Sequence, residues 1–495
     1  MARHVIWWIR RDMRLDDNPA LSFSVHAESL LPVYIHADVE EAPWCMGGAQ
    51  KWWLARRLRA LDAQLTSVGS RLLVVQGEAA KVLADLVDTT GANEVVWNRR
   101  FEPAARAQES RVEGALDARQ VKWHGFLGNH LFDPEEVATK DGNPYQVYTP
   151  FARNVRGRAV PAQPKSAPRA FPPPWNERSK RKPETTEAHR ESLERSIAQL
   201  ELEPRVPWDL GFRAQWQPSE DAANAHLARF LKAGIANYPV GRDDPSSVGT
   251  SLLSPSLAFG EIGIRRVWHH SARSGAPQES VDKFHAELLW REFATHVLFH
   301  FPKTDLLPLR PEYARFPWRN DAHALRAWQQ GQTGYPLVDA GMRQLWHTGW
   351  MHNRVRMVVA SFLVKHLLLP WQDGAKWFWD TLVDADLANN SLGWQWAAGS
   401  GADAAPYFRI FNPTSQAEKF DADASYIRRW VPELARLPAS AAIAPWDAPP
   451  LVLAGAGVEL GRSYPRPIVD HPMARERALQ ALTAVSKRGA VSRSQ

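Results

Sequence analysis

Over its first 135 residues the chain alternates short, continuously apolar runs with longer stretches whose apolar positions recur every three or four residues. The runs 5–9, 31–35, 72–75, 94–97 and 121–123 predict strands buried on both faces. Stretches 51–66 and 78–86 predict helices between them. Such alternation makes residues 1–135 an α/β unit with a doubly wound, mostly parallel sheet. No G-x-G-x-x-G follows the first strand, so the usual dinucleotide fingerprint is missing.

The pattern then breaks. Residues 136–207 predict an interdomain linker. Seven prolines fall between Pro161 and Pro183, mixed with Lys and Arg, and disfavour both helix and sheet. From 208 to 485 the apolar positions follow a helical period, clearest in 222–231, 281–301, 322–329, 337–346, 353–368 and 473–486. This predicts an all-α domain.

Composition narrows the setting. Across 495 residues, 44% hydrophobic and 23% charged are globular values that exclude wholesale disorder. The single cysteine, Cys45, excludes a disulfide scaffold and any cysteine-built metal site, and suits a reducing cytoplasm. Near the start, five consecutive apolar residues run straight into Arg-Arg-Asp, unlike a signal peptide. No uncharged apolar run approaches the roughly 20 residues of a membrane span; the best, 357–369, contains Lys365 and His366. A soluble, cytoplasmic protein is expected. The net charge of +6, with a pI near 9.4, tilts toward polyanionic partners such as nucleic acid. The 23 Trp against 9 Tyr fit large aromatic cores, stacking on bases or electron hopping, and composition does not choose.

Some local constellations carry candidate chemistry. Segment 249–255, GTSLLSP, offers three hydroxyls ahead of a helix, with Ser254 as N-cap and Pro255 as first helical residue. It suits a phosphate or pyrophosphate, or is a helix cap alone. Glu287, Trp290 and Arg291 share one helical face at i, i+3 and i+4, as do Asn353, Arg356 and Met357. Each face is either a pocket wall or partly exposed surface. Asp384 and Asp386 are spaced to pair with Arg356, or lie in a solvated turn. Trp394 and Trp396 stand about 200° apart on a helix, so one is expected to face a ligand and the other the interior. His269 and His270 have no companions at metal-binding spacing, and no metal is expected.

Longer motifs carry a resemblance. GTSLLSPSLAFGEI, ELLWREF, TGYPLVDAGMRQLWHTGWMHNRVRM and DLANNSLGWQWAAGSGADAAPYFRIFNPTSQAEKF, within residues 238 to about 434, resemble the flavin-binding domain of the photolyase/cryptochrome family. WWIRRDMRLDDNPAL resembles the opening of that family's antenna domain. The resemblance implies a Rossmann-like antenna domain and FAD held in the helical domain. It puts Tyr238, Thr250, Ser251, Leu253, Ser254 and Arg291 around the pyrophosphate. Arg356 and Asp384 match an ion pair beside the isoalloxazine, and Asp386 a second carboxylate. Asn390 matches the position facing flavin N5, where an amide is the photolyase-like choice. Leu252 stands where many members carry Arg.

For a lesion pocket the resemblance implies Glu287 on the damaged bases, Trp290 and Trp396 packed against them, and Asn353 and Met357 lining the rest. Enzymes specific for (6-4) photoproducts carry His at those last two places, which implies the cyclobutane-dimer type here. Arg242, Arg354 and Arg409 match a basic rim that grips DNA phosphates. Trp394, Trp371 and Trp318 match a three-indole electron relay. Ala104 and Ala105 stand where one class holds its folate with an Asn-Glu pair. The antenna chromophore is therefore left open between methenyltetrahydrofolate held differently, a deazaflavin, or none. The LANNSLGWQW wording leans toward the class nearest plant cryptochromes. The implied activity is light-driven repair of cyclobutane pyrimidine dimers in DNA by a monomeric lyase, through electron transfer from photoexcited reduced FAD to a flipped-out dimer. A cryptochrome photoreceptor and a (6-4) photolyase are the alternatives.

Overall fold

The computed structural model describes residues 2–158, 160–174, 185–403 and 409–492, with side chains to Val485. Strands β1 (His4–Ile9), β2 (Ser29–His36), β3 (Leu73–Gln76), β4 (Glu94–Asn98) and β5 (Lys122–Phe126) form one sheet in the order β3-β2-β1-β4-β5. Every pairing is parallel. The continuous apolar runs follow from burial on both sides. In β1, Trp7 and Ile9 enter the core shared with the helix Gly48–Ser67, while Ile6 and Trp8 enter the core under Ala79–Thr90 and Pro103–Asp117. β5 lies slightly beyond its expected 121–123, because its sequence KWHGF is half-exposed and carries little apolar signal.

The interval 136–207 is more structured than its prolines suggest. It carries the helices Tyr148–Arg156 and Thr186–Gln199, whose Phe151 and Val155, and Leu193 and Ile197, dock into two separate cores. The proline cluster sits between the two helices. Residues 159 and 175–184 of this interval, including Pro183, lie outside the described residues, as do 404–408 of the longest motif.

Beyond Asp209 the described chain is helical. Gln278–His300, Pro336–Thr348, Trp371–Thr381 and Leu387–Ala398 form as the periodicity requires. The helix expected over 353–368 is α-helical only from Asn353 to Ser361, and then widens into a π turn, Phe362–His366. Within that turn buried Lys365 donates to the carbonyl of Arg409 at 2.6 Å, a bond between segments that spacing does not reveal. No helix among the described residues is long and apolar enough to cross a membrane.

Much of the tryptophan is structural. Buried Trp52 and Trp53 donate to Asp209 and Glu261, each at 2.7 Å, and Trp44 donates to Asp305. Trp379 returns the contact by donating to the carbonyl of Cys45 at 2.7 Å. These four bonds join the sheet-bearing part to the helical part, and each satisfies an indole N–H that burial would otherwise strand.

Candidate active site

A cavity of about 610 Å³ opens among the helices Gln278–His300, Asn353–Ser361, Trp371–Thr381 and Leu387–Ala398. That volume lies within the 300–1,000 Å³ usual for small-molecule sites. Its wall brings together residues far apart in sequence: Tyr238, Arg242, Ser251, Leu253, Ser254, Glu287, Trp290 and Arg291. With them stand Asn353, Arg356, Met357, Asp384, Asp386, Asn390, Trp394 and Trp396. The two helical faces read from spacing are therefore both pocket wall.

Ser251, Leu253 and Ser254 line the cavity where the chain enters the helix Ser254–Ala258. Leu252 adopts a left-handed φ of 55° and packs toward the sheet-side core instead of the cavity. Thr250 is outside the wall. Leu253, rather than Ser254, is the N-cap of a helix only five residues long, Ser254–Ala258, so Ser254 and Pro255 each move one place inward. Arg291 spends one N–H on the carbonyl of Asn129 at 2.8 Å and lies 3.6 Å from Glu292.

Elsewhere on the wall, Arg356 donates to Asp384 at 2.8 Å and to the carbonyl of Met351 at 2.7 Å, which fixes the guanidinium plane. Asp386 pairs with no arginine among the described residues; it caps the helix Leu387–Ala398 by accepting from the Asn389 N–H at 2.9 Å. One N–H of Asn390 is spent on the carbonyl of Ala375 at 3.0 Å.

Both members of the Trp394/Trp396 pair line the cavity. They do so differently. Trp394 is 2% exposed, its ring packed on Phe378 and Trp328, whereas Trp396 is half-buried near Phe411. Trp371 starts the helix Trp371–Thr381 and is buried outside the cavity. Gly374, one turn further along, lies directly under the Trp394 ring. Trp318 is half-buried on Phe316, and the next residue, Arg319, donates from its backbone to Leu368, close in sequence to Trp371.

Two of the three rim cations are already paired with carboxylates. Arg242 forms an ion pair with Glu287, and Arg354 donates to Asp243 at 2.6 Å while its guanidinium covers Phe420. Arg409 is exposed, with its guanidinium 4.9 Å from the Phe411 ring centroid.

Sequence reasoning missed several contributors. Tyr148 stacks on Trp290 at 3.7 Å and 6°. His352 caps the helix Asn353–Ser361 by accepting from the Arg354 N–H, which needs a neutral ring; burial pushes its pKa down to about 4. Gly374 and Asp243 were unmarked. The cap alone had a local signal, a polar residue before a helical pattern.

Two further hollows differ greatly in size. At the carboxyl ends of β1 and β2, where a doubly wound sheet seats ligands, the crevice holds about 30 Å³. Arg10 there pairs with Glu109, and Arg100 with Glu41 and Glu102. A groove of about 680 Å³ is lined by Trp346 and Trp377, which stack on each other at 5.9 Å and 8°, together with Arg343, Arg429 and Trp430. Trp346 is 57% exposed.

The model for DNA photolyase matches residues 5–171, and that for the FAD binding domain of DNA photolyase matches 284–484. The chain belongs to the photolyase/cryptochrome family. It is 46% identical to the deoxyribodipyrimidine photo-lyase of Agrobacterium fabrum, over 98% of both chains. It is 37% identical to cryptochrome-2 of Arabidopsis thaliana, over 98% of this chain and 79% of that one. Among solved structures, a class III photolyase from Agrobacterium tumefaciens superimposes with a TM-score of 0.91 at 45% identity, over 98% of each chain.

The residues present fit FAD, the group this photolyase fold implies. Asp384 Oδ1 and Trp394 Nε1, both on residues of the cavity wall, are buried without a hydrogen-bond partner among the described residues. A wall that carries hydroxyls with Arg291, and an Arg–Asp pair with an amide, suits a ligand with both a charged group and a polar ring.

Proposed function

We propose that this protein repairs cyclobutane pyrimidine dimers in DNA by a light-driven reaction, as a cytoplasmic monomer. The observation that carries the reading is the single cavity in which Glu287, Trp290, Asn353, Met357 and Trp396 meet Arg356, Asp384 and Asn390. Lesion-pocket and flavin-pocket candidates share one wall, so a pyrimidine dimer brought in from DNA lies against the group held behind it.

A bound FAD supplies the light-driven one-electron chemistry. Ser251, Ser254 and Arg291 would hold its pyrophosphate, with Arg356, Asp384 and Asn390 around its ring. The damaged pair is flipped into the cavity, a move made cheaper because a dimer stacks and pairs poorly. Trp290, held flat by Tyr148, and Trp396 form apolar walls that exclude water. Glu287 hydrogen-bonds the base edges, and as a neutral carboxyl donating its O–H to a base carbonyl it counts most when negative charge develops there. Asn353 and Met357, in place of histidines, favour the cyclobutane lesion over the (6-4) product. Arg242, Arg354 and Arg409 offer positive charge to the DNA backbone. Trp394, Trp371 and Trp318 would relay electrons from the surface to oxidised cofactor. For a folate or deazaflavin antenna the reading favours the groove at Trp346 and Trp377, since the sheet crevice is filled by its own ion pairs.

The test is illumination of the reduced holoprotein with a thymine-dimer oligonucleotide while thymine absorbance is followed. Light-dependent recovery is expected. Its absence would refute repair and leave the photoreceptor alternative.

A further inference from the structure

The rim beside the cavity has an alternating row of charges: Glu287, Arg242, Asp243, Arg354. Arg242 pairs with Glu287, the two side chains being 14% and 29% exposed. A single oxygen of Asp243, Oδ1, takes a hydrogen bond from Arg354 Nη2 at 2.6 Å and lies 3.9 Å from Arg242 Nε. That oxygen therefore sits between two guanidiniums, as an oxygen of a DNA phosphate would. The Asp243 side chain is only 35% exposed, yet no backbone or hydroxyl donor among the described residues holds it; its partners are the two arginines.

Resting on the repair reading above, we infer that Asp243 is a specificity-determining residue that keeps the two arginines neutralised until lesion DNA displaces it. The reasoning is an exchange of partners. Undamaged duplex offers phosphates but no flipped bases. To gain Arg242 and Arg354 it must expel Asp243 and also strip Glu287 of Arg242, leaving a carboxylate unpaired in a half-buried site. Lesion DNA brings a flipped pair that gives Glu287 new partners, so Arg242 turns to the backbone without stranding a carboxylate, and Asp243, then held by Arg354 alone, is displaced at less cost than by undamaged duplex. The carboxylates thus weaken binding to undamaged DNA more than binding to the lesion, which is discrimination by an unfavourable contact in the wrong complex.

The experiment measures binding of the FAD-loaded protein to undamaged and thymine-dimer oligonucleotides across a salt series, for wild type, Asp243→Asn, Asp243→Ser and Asp243→Glu. The Asn and Ser variants should bind undamaged DNA several-fold more tightly. Their salt dependence should steepen by about 0.9 in log–log slope for each phosphate contact regained. Dimer binding should change less, so the ratio of the two affinities falls; the Glu variant should retain the wild-type slope. A structural lesion would weaken binding but would not steepen the slope. If the Asn and Ser variants bind both DNAs more weakly, or with an unchanged slope, Asp243 merely orients the arginines and the inference fails. If wild type itself shows no preference for the dimer, the repair reading fails instead.

Discussion

Gly374→Ala sets two calculable effects against each other. Gly374 lies inside the helix Trp371–Thr381, where alanine is better than glycine by about 1 kcal/mol. Propensity alone predicts a more stable protein. A Cβ at this position, however, would lie 2.1 Å from Cη2 and 2.4 Å from Cζ3 of Trp394, whereas ordinary contact begins at 3.4 Å. The ring must retreat by more than 1 Å. It cannot do so freely, since it is 2% exposed and wedged between Phe378 and Trp328, at ring separations of 5.0 and 6.1 Å. Overpacking of this kind costs about 1–3 kcal/mol, so the net change should be a destabilisation of roughly 1 kcal/mol despite the better helix former. Because Trp394 also forms cavity wall, the displaced indole should lower FAD retention and slow photoreduction of the oxidised flavin. Denaturant unfolding of the holoprotein, FAD content after gel filtration and photoreduction rate check the three parts. A variant with raised stability and wild-type photoreduction would show that the bare helix face does not pin the indole, and would refute the reasoning.

Trp371→Phe should leave FAD bound and leave repair by chemically pre-reduced protein nearly intact while blocking photoreduction, because phenylalanine fills the place without an accessible oxidised state; photoreduction at the wild-type rate would put the relay elsewhere among the tryptophans. Glu287→Ala should lower repair per absorbed photon more than it lowers dimer binding, since the carboxyl matters most to the charged intermediate; preserved yield with lost binding would reduce it to a positioning group. Burial holds His285, His296 and His352 near a pKa of 4 and His366 near 3. Unfolded histidines take up protons near 6.5, so the stability tied to the neutral rings is complete above that pH and is lost as pH falls toward 4. His352→Asn keeps a capping acceptor that does not titrate, and should show a smaller loss between pH 7 and 4.5 than wild type in denaturant unfolding; equal losses would refute the assignment.

The sequence alone determined what depends on neighbours along the chain. Apolar runs of two-face burial gave the parallel strands, helical periods gave the cavity-lining helices, and contiguous motifs carried the family. Spacing also put Glu287, Trp290 and Arg291 on one face, because i, i+3 and i+4 positions of a helix must coincide. The tertiary structure decided which groups answer each other across the fold. Glu287 pairs with Arg242, 45 residues away, and not with Arg291 on its own helix. Asp243 pairs with Arg354 across 111 residues, and of two adjacent-looking carboxylates Asp384 takes the arginine while Asp386 caps a helix. Trp394 reaches the cavity alongside Trp396 because a glycine on another helix leaves room for its ring. Such choices rest on through-space distances of a few ångströms, to which ion pairing, ring packing and desolvation are steeply sensitive, and no periodicity along the chain encodes them.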